Sequence, residues 1–208
     1  MQALNTSNQV DSSRRYTLEE FWALPEPEDR SHYELIGGFL YIVPPPNPPH
    51  GDLASRLARA LFKFLDVNNV GGEVYFPHEP VYRRAEGSTY LEPDLMYVSK
   101  ALREQMGSKR TSADIVFEVI SRGTSTYDHT TKADAYLTLD VRELWLVDPF
   151  MLTLKVHYRS EIDNTPVWEM VKYSTDEHAK SRVLAGWEVS VDEVFNSIRQ
   201  LAAAPVSA

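Results

Sequence analysis

The strongest indication of the fold comes from two apolar stretches, LEPDLMYV at residues 91–98 and ADIVFEVI at residues 113–120. Each has the length of one buried strand, and each carries carboxylates inside its apolar run. Side chains alternate across a strand, so Glu118 shares one face of its strand with Val116. By the same alternation Asp94 shares one face of its strand with Met96. If the two strands are neighbours, we expect the Asp94 and Glu118 carboxylates to lie about 5 Å apart across the ladder.

A carboxylate buried in an apolar strand is costly unless another group compensates its charge. A hard divalent cation is one such group, because Mg²⁺ is bound in proteins by one or two carboxylates together with waters. Asp94 and Glu118 therefore predict a site for Mg²⁺ or Mn²⁺. The alternative for Asp94 is a turn-forming role after Pro93, and the alternative for Glu118 is a purely structural role.

A helix predicted from about residue 126 to 139 follows the second stretch. Its Asp128, Lys132 and Tyr136 are spaced by four and fall on one helical face. If that face looks toward the strand ends, the Lys132 ammonium lies beside Glu118, where it can stabilise a phosphate transition state or orient an attacking water. Each of the three residues also has a non-catalytic interpretation. Asp128 can be an acid favoured in the first helical turn, Lys132 a solvated surface lysine, and Tyr136 a core aromatic.

The remaining patterns predict an α/β chain of mixed α+β character, in which a central mixed sheet is flanked by helices. Residues 33–43 predict an N-terminal β-hairpin, because two strand-like runs are joined by Gly37-Gly38. The other predicted elements are a capping-box helix from residue 17, a helix at 51–66, strands at 73–76, 80–84 and 143–147, a hairpin at 152–158 and 167–173, and a closing helix at 191–201.

The length of 208 residues predicts one domain with one sizeable core. We expect a disordered leader at residues 1–15, a single domain at 16–201 and a frayed tail at 202–208. The chain has no cysteine, which excludes disulfides and thiolate sites. No apolar run is long enough to cross a bilayer, and the polar start lacks the apolar stretch of a signal peptide. These features favour a cytoplasmic protein without a membrane partner.

Net charge and missing motifs narrow the function classes. The formal net charge of -9 argues mildly against a non-specific nucleic-acid binder, which needs a basic face. It does not exclude nucleic-acid binding, because acidic residues can be concentrated at a metal site while basic residues lie elsewhere. The chain has no Walker loop, no Rossmann glycine fingerprint, no Gly-x-Ser-x-Gly elbow and no EF-hand spacing. A nucleotide- or cofactor-dependent enzyme is therefore poorly supported.

One further residue is a candidate for the site. His50 follows Pro49 and precedes the predicted helix, so it can contact a phosphate or accept a proton. A local hydrogen bond at the helix start is the alternative for His50.

The order of these motifs resembles the Uma-two family within the PD-(D/E)xK nuclease superfamily. The matching segments cover about residues 16–195. They are YELIGG at 33–38, PPP at 44–46 with His50, EPDL at 92–95, DIVFEVIS at 114–121, TYD at 126–128 with Lys132, and ELWLVDP at 143–149.

The resemblance implies a restriction-endonuclease-like core and Mg²⁺-dependent hydrolysis of phosphodiester bonds in DNA, with Asp94 and Glu118 as metal ligands. Because Glu34 lies in a matching segment, the resemblance also makes it a candidate acid that binds the metal directly or through water; a surface carboxylate on a strand is the alternative. Ile120 stands where the superfamily motif has its lysine, and the resemblance implies that Lys132 takes that role from the next helix. This departure keeps a second function open, a catalytically inactive member of the same fold that acts as a dimeric binding or scaffold protein. A homodimer is the default expectation in either case.

Overall fold

The structure is a computed structural model that describes residues 11–84, 88–121 and 128–203. Its α-helices are α1 (Leu18–Trp22), α2 (His50–Val67), α3 (Lys100–Met106), α4 (Ala133–Thr138) and α5 (Val191–Ala203), and a π-helical turn at Asp128–Lys132 precedes α4. Its strands are β1 (His32–Ile36), β2 (Phe39–Val43), β3 (Glu73–Tyr75), β4 (Val81–Arg83), β5 (Thr89–Leu91), β6 (Leu95–Val98), β7 (Ile115–Val119), β8 (Glu143–Asp148), β9 (Thr153–Ile162), β10 (Thr165–Tyr173), β11 (His178–Lys180) and β12 (Glu188–Ser190).

A six-stranded sheet with the order β10-β9-β8-β7-β6-β3 lies at the centre of the fold. β7 and β8 are parallel, and the other neighbouring pairs of this sheet are antiparallel. Parallel neighbours need a crossover connection, and the crossover from β7 to β8 includes the π-helical turn and α4. The predicted mixed central sheet with flanking helices is therefore confirmed.

Alternation along β7 sends successive side chains into two different apolar cores. Phe117 lies in the core that α2 and α5 cover, and Val116 lies in the core that contains Tyr136 of α4. α2 packs through Leu53, Leu57 and other leucines of one helical face, each of which contributes roughly 1.5–3 kcal/mol when fully buried. The sheet is thus covered by helices on both faces, and Glu118 has the same parity as Val116.

The N-terminal hairpin belongs to a separate four-stranded sheet with the order β2-β1-β5-β4. β1 and β2 are antiparallel with Ile36 opposite Phe39, as predicted. Gly37 and Gly38 both have positive φ, 59° and 85°, which a type I′ hairpin turn requires at its two central positions. The predicted capping box of Thr17 and Glu20 is also present, and it starts α1.

Two sequence predictions about elements are wrong, and three elements were not predicted. The stretch at 91–98 is two strands, because Pro93 cannot donate to a ladder and the chain passes from β5 in one sheet to β6 in the other. The predicted helix at 126–139 is a π-helical turn followed by α4, and residues 126 and 127 lie outside the described ones. α3 and the β11–β12 pair were not predicted, because each is short and α3 buries no side chain completely.

The two ends of the chain are only partly described. Residues 1–10 and 204–208 lie outside the described ranges, so the predicted leader and tail fall largely beyond them. Arg15 forms an isolated bridge with Phe39, and α5 runs to Ala203. Within the described ranges, no helix combines the length and the apolar character that crossing a membrane requires.

Candidate active site

The two carboxylates predicted to meet are brought to one place by the β6–β7 register. Leu95 pairs with Phe117 in this antiparallel ladder, so continuing the register by one residue sets Asp94 opposite Glu118. Residues that are opposite each other in a ladder point to the same face of the sheet. Both carboxylates line one small cleft, together with His32, His50 and Lys132.

Asp94 occupies the point where the chain enters β6, and it is held by two contacts at the same oxygen. The backbone N–H of Val119 donates to Asp94 Oδ2 at 2.7 Å. The Nε2 atom of His50 lies 3.0 Å from that oxygen. His50 is the first residue of α2, and its contact with Asp94 joins the helix to the sheet rather than closing a local turn. Asp94 Oδ1 takes part in neither contact.

Lys132 lies between two buried acids, and its ammonium is beside Glu118 as predicted. Its Nζ atom is 2.8 Å from Glu118 Oε1 and 3.1 Å from Glu34 Oε1. Only 4% of Lys132 is exposed, which excludes the solvated alternative. Tyr136 donates its hydroxyl to Glu118 Oε1 at 2.5 Å. The π-helical turn ends at Lys132, and such turns occur often at functional sites.

Glu34 is fully buried, so it is not the surface carboxylate that the sequence left as an alternative. The backbone N–H of Glu92 donates to Glu34 Oε1 at 3.0 Å, which ties β1 to the break before β6. Burial by itself raises the pKa of Glu34, but the Lys132 ammonium and the contacts from His32 and Glu92 outweigh it and hold that pKa below its usual range. Glu34 is therefore ionised at neutral pH and offsets part of the Lys132 charge.

His32 also belongs to this site, although it was not predicted from the sequence. Its Nε2 atom is buried and has no hydrogen-bond partner among the described residues. That atom lies 3.9 Å from Glu34 Oε1, and His32 lines the same cleft as Asp94 and Glu118. The alternation of side chains along β1 could have indicated His32, because it lies two residues from Glu34 and therefore on the same face of the strand.

Two other residues discussed from the sequence, Ile120 and Asp128, are not among the residues whose described side chains line the cleft. Ile120, at the position of the superfamily lysine, is 2% exposed and belongs to the apolar core on the α4 side of the sheet. Asp128 begins the π-helical turn, but its side chain lies outside the described ones.

The chemistry of the donor set fits a hard divalent cation. Asp94 and Glu118 supply carboxylate oxygens from one cleft, and Mg²⁺ is commonly held by one or two carboxylates with waters or substrate phosphates completing its shell. The described residues contain no group of three or more acidic or histidine side chains arranged to hold a metal alone. These residues therefore suit a cation site with two protein ligands, in which waters or substrate phosphates supply the remaining ligands.

The architecture described above is a restriction-endonuclease-like fold. The same fold occurs in a crystal structure of a "putative nuclease belonging to DUF820 from Anabaena variabilis ATCC 29413", with a TM-score of 0.69 at 19% sequence identity, covering 87% of this chain and 98% of that one. The chain matches the model of the Uma2 family, described as "Putative restriction endonuclease", over residues 18–192, and it belongs to that family. No curated protein matches the chain. The family description names a nuclease, and the Anabaena structure, at 19% identity, shows the fold alone.

Proposed function

We propose that this protein is a metal-dependent endonuclease that hydrolyses phosphodiester bonds in DNA. The observation that carries the proposal is the convergence of Asp94, Glu118 and Lys132 on one cleft. Two carboxylates suit a cation, and a buried ammonium beside them suits the negative charge of a phosphate. A solely structural cluster has no need for a cleft that opens on these three groups.

Asp94 and Glu118 would hold Mg²⁺ or Mn²⁺, which when bound supplies Lewis-acid stabilisation of charge on the phosphate. In the hydrolysis, the water oxygen forms a new P–O bond and the bond to the leaving oxygen breaks. One proton of the water ends on the leaving oxygen, and the other goes to the new phosphomonoester or to solvent. The Lys132 ammonium stabilises the charge that develops on the phosphate oxygens. Glu34 and Tyr136 position Lys132 and Glu118, and His50 fixes the carboxylate of Asp94.

The test is cleavage of plasmid and oligonucleotide DNA by the full chain in Mg²⁺, in Mn²⁺ and in EDTA. We expect cleavage only with the cations and a loss of about 1000-fold in rate, roughly 4 kcal/mol of barrier, for Asp94→Asn and for Glu118→Gln. Glu169→Gln is the matched control, because Glu169 is an exposed acid on β10 that pairs with Arg182. Undiminished cleavage by both site variants would remove this cluster from the mechanism.

Titration calorimetry with Mn²⁺ separates the nuclease from the inactive scaffold protein. The nuclease requires cation binding that Asp94→Asn weakens, whereas an intact fold that binds no cation and cuts no DNA supports the scaffold. β2 and β10 are the outer strands of their sheets, and an exposed edge can pair with a second copy. The homodimer and the cytoplasmic location stay predictions.

A further inference from the structure

A second and larger cleft opens beside the catalytic cluster. Its volume is about 530 Å³, within the range of pockets that hold small organic groups. It shares His50 and Asp94 with the candidate active site, so a group that fills it lies next to a phosphate bound there. We call it the side cleft, and its other lining residues include Arg30, Pro45, Pro46, Phe76 and Pro77.

The walls of the side cleft are mainly apolar and include an exposed aromatic ring. Phe76 has 48% of its surface exposed, although it is a large hydrophobic side chain. Phe62 of α2 stacks on it, with ring centroids 6.2 Å apart and planes inclined by 28°, which holds the Phe76 ring in place. A supported aromatic ring beside proline side chains is a surface on which a nucleobase stacks.

The charge of the chain favours recognition of single nucleotides over recognition of a long phosphate backbone. With a net charge of -9, general attraction to DNA is weak, because that attraction requires many phosphate contacts. The lining of the side cleft contains exposed Arg30 but also the acids Glu92 and Asp94, so charge alone gives little local attraction for DNA. Affinity must then come from contacts that are made to a few nucleotides around the reacting phosphate.

We infer that the side cleft receives one unpaired nucleotide of the DNA strand that is cut, with its base against Phe76. A base within a duplex is covered on both faces by its neighbours, so it enters a concave site only after it leaves the stack. The substrate class is therefore single-stranded or locally unpaired DNA. This inference rests on the proposed function, because it takes the phosphate at Asp94 and Glu118 as the neighbouring group.

The test measures binding without turnover. The full chain in EDTA is titrated into a fluorescent single-stranded oligonucleotide and into its duplex at one fixed salt concentration, since the affinity depends on salt. We expect the single strand to bind at least about 10-fold more tightly than the duplex, and Phe76→Ala to weaken single-strand binding by about 10-fold, as loss of one stacked base predicts.

Two control variants show whether the effect belongs to the side cleft. Phe76→Tyr keeps the ring and is expected to keep the affinity, which guards against a general loss of folding. Phe39→Ala removes a comparably exposed ring, 40%, from β2 outside this cleft, and is expected to change nothing. Unchanged single-strand binding by Phe76→Ala, or equal binding of duplex and single strand, overturns the inference. Because this readout needs no cleavage, it is independent of the Mg²⁺ cleavage assay that tests the proposed function.

Discussion

The two ends of the parallel pair β7–β8 each contain a buried glutamate, and the two are held in opposite ways. Glu143 starts β8 opposite Ile115, and Glu118 lies near the end of β7 opposite Leu146. Glu143 is 1% exposed and Glu118 is 4% exposed. Burial alone therefore does not distinguish the two carboxylates.

Their partners do. Four neutral donors surround Glu143, and in the described part of the chain no cationic side chain lies within ion-pair distance of it. The donors are the N–H groups of Arg182 (2.5 Å) and Val183 (2.7 Å) to Oε1, and Ser181 Oγ (2.9 Å) and Trp145 Nε1 (3.0 Å) to Oε2. Glu118 instead meets the Lys132 ammonium and the Tyr136 hydroxyl at the edge of a cleft.

These partners show which of the two buried acids is available for chemistry. Donors supplied by the backbone and by a packed indole are fixed when the chain folds, so Glu143 joins β8 to the segment before β12 and has a structural role. Lys132 has a flexible stem and a charge that also suits a phosphate. The end of the sheet at which the parallel strands terminate is also the end where open α/β sheets bind ligands.

The largest effect that tests this comparison is on stability. We expect Glu143→Ala to lower the free energy of unfolding by about 4 kcal/mol, because it leaves several buried donors without an acceptor. Glu118→Ala should cost less than half as much, since Lys132 keeps its contact with Glu34. Urea denaturation in EDTA measures both variants, and equal losses would break the distinction between the two ends.

The next effect concerns Lys132 and pH. In the wild-type chain the pKa of Glu34 lies below its ordinary value of 4.5, so its ionised form stabilises the fold above that pH, and this stabilisation is lost as the pH falls through the lowered pKa. Lys132→Met removes the main cause of the lowering, and burial then raises the pKa of Glu34. The sign reverses, so ionised Glu34 destabilises the variant at neutral pH.

We therefore expect Lys132→Met to cost about 3 kcal/mol at pH 8, as when one partner of a buried ion pair is removed, and clearly less at pH 5. Urea denaturation at the two pH values, in EDTA, gives this difference. Lys63→Met, at an exposed position of α2, is the matched control and should show no such dependence on pH. A cost for Lys132→Met that stays constant with pH would contradict the ionised pair.

The smallest expected effect distinguishes a tyrosine that positions the active site from one that only stabilises the fold. Tyr136→Phe removes one buried hydrogen bond to Glu118 and should lower the free energy of unfolding by about 1 kcal/mol. Tyr97→Phe removes a comparable bond, from the Tyr97 hydroxyl to Gly71 O at 2.7 Å, away from the cleft. We expect similar stability losses and a fall in DNA cleavage only for Tyr136→Phe, and equal cleavage by both would place Tyr136 outside the site.

Much of the candidate site could be predicted because strand parity is local. Alternation in VFEV at 116–119 fixed the face of Glu118, and spacing by four put Lys132 and Tyr136 on one face of the following helical segment. Parity on β1 would also have indicated His32 beside Glu34, since both are set by the same alternation. The π-helical turn and the break at Pro93 escaped prediction, because they depend on how neighbouring elements pack.

The longer helices and strands, the hairpin turn and the family could be predicted from the sequence, because periodicity, glycine conformation and motif order are local properties of the chain. The role of each buried acid could be assigned only from the folded arrangement. Glu118 and Glu143 both sit in apolar strands, and the same burial argument applies to each. The partners that separate them, Lys132 for the one and residues 181–183 for the other, are distant in sequence and meet only when the sheet and its covering segments are assembled.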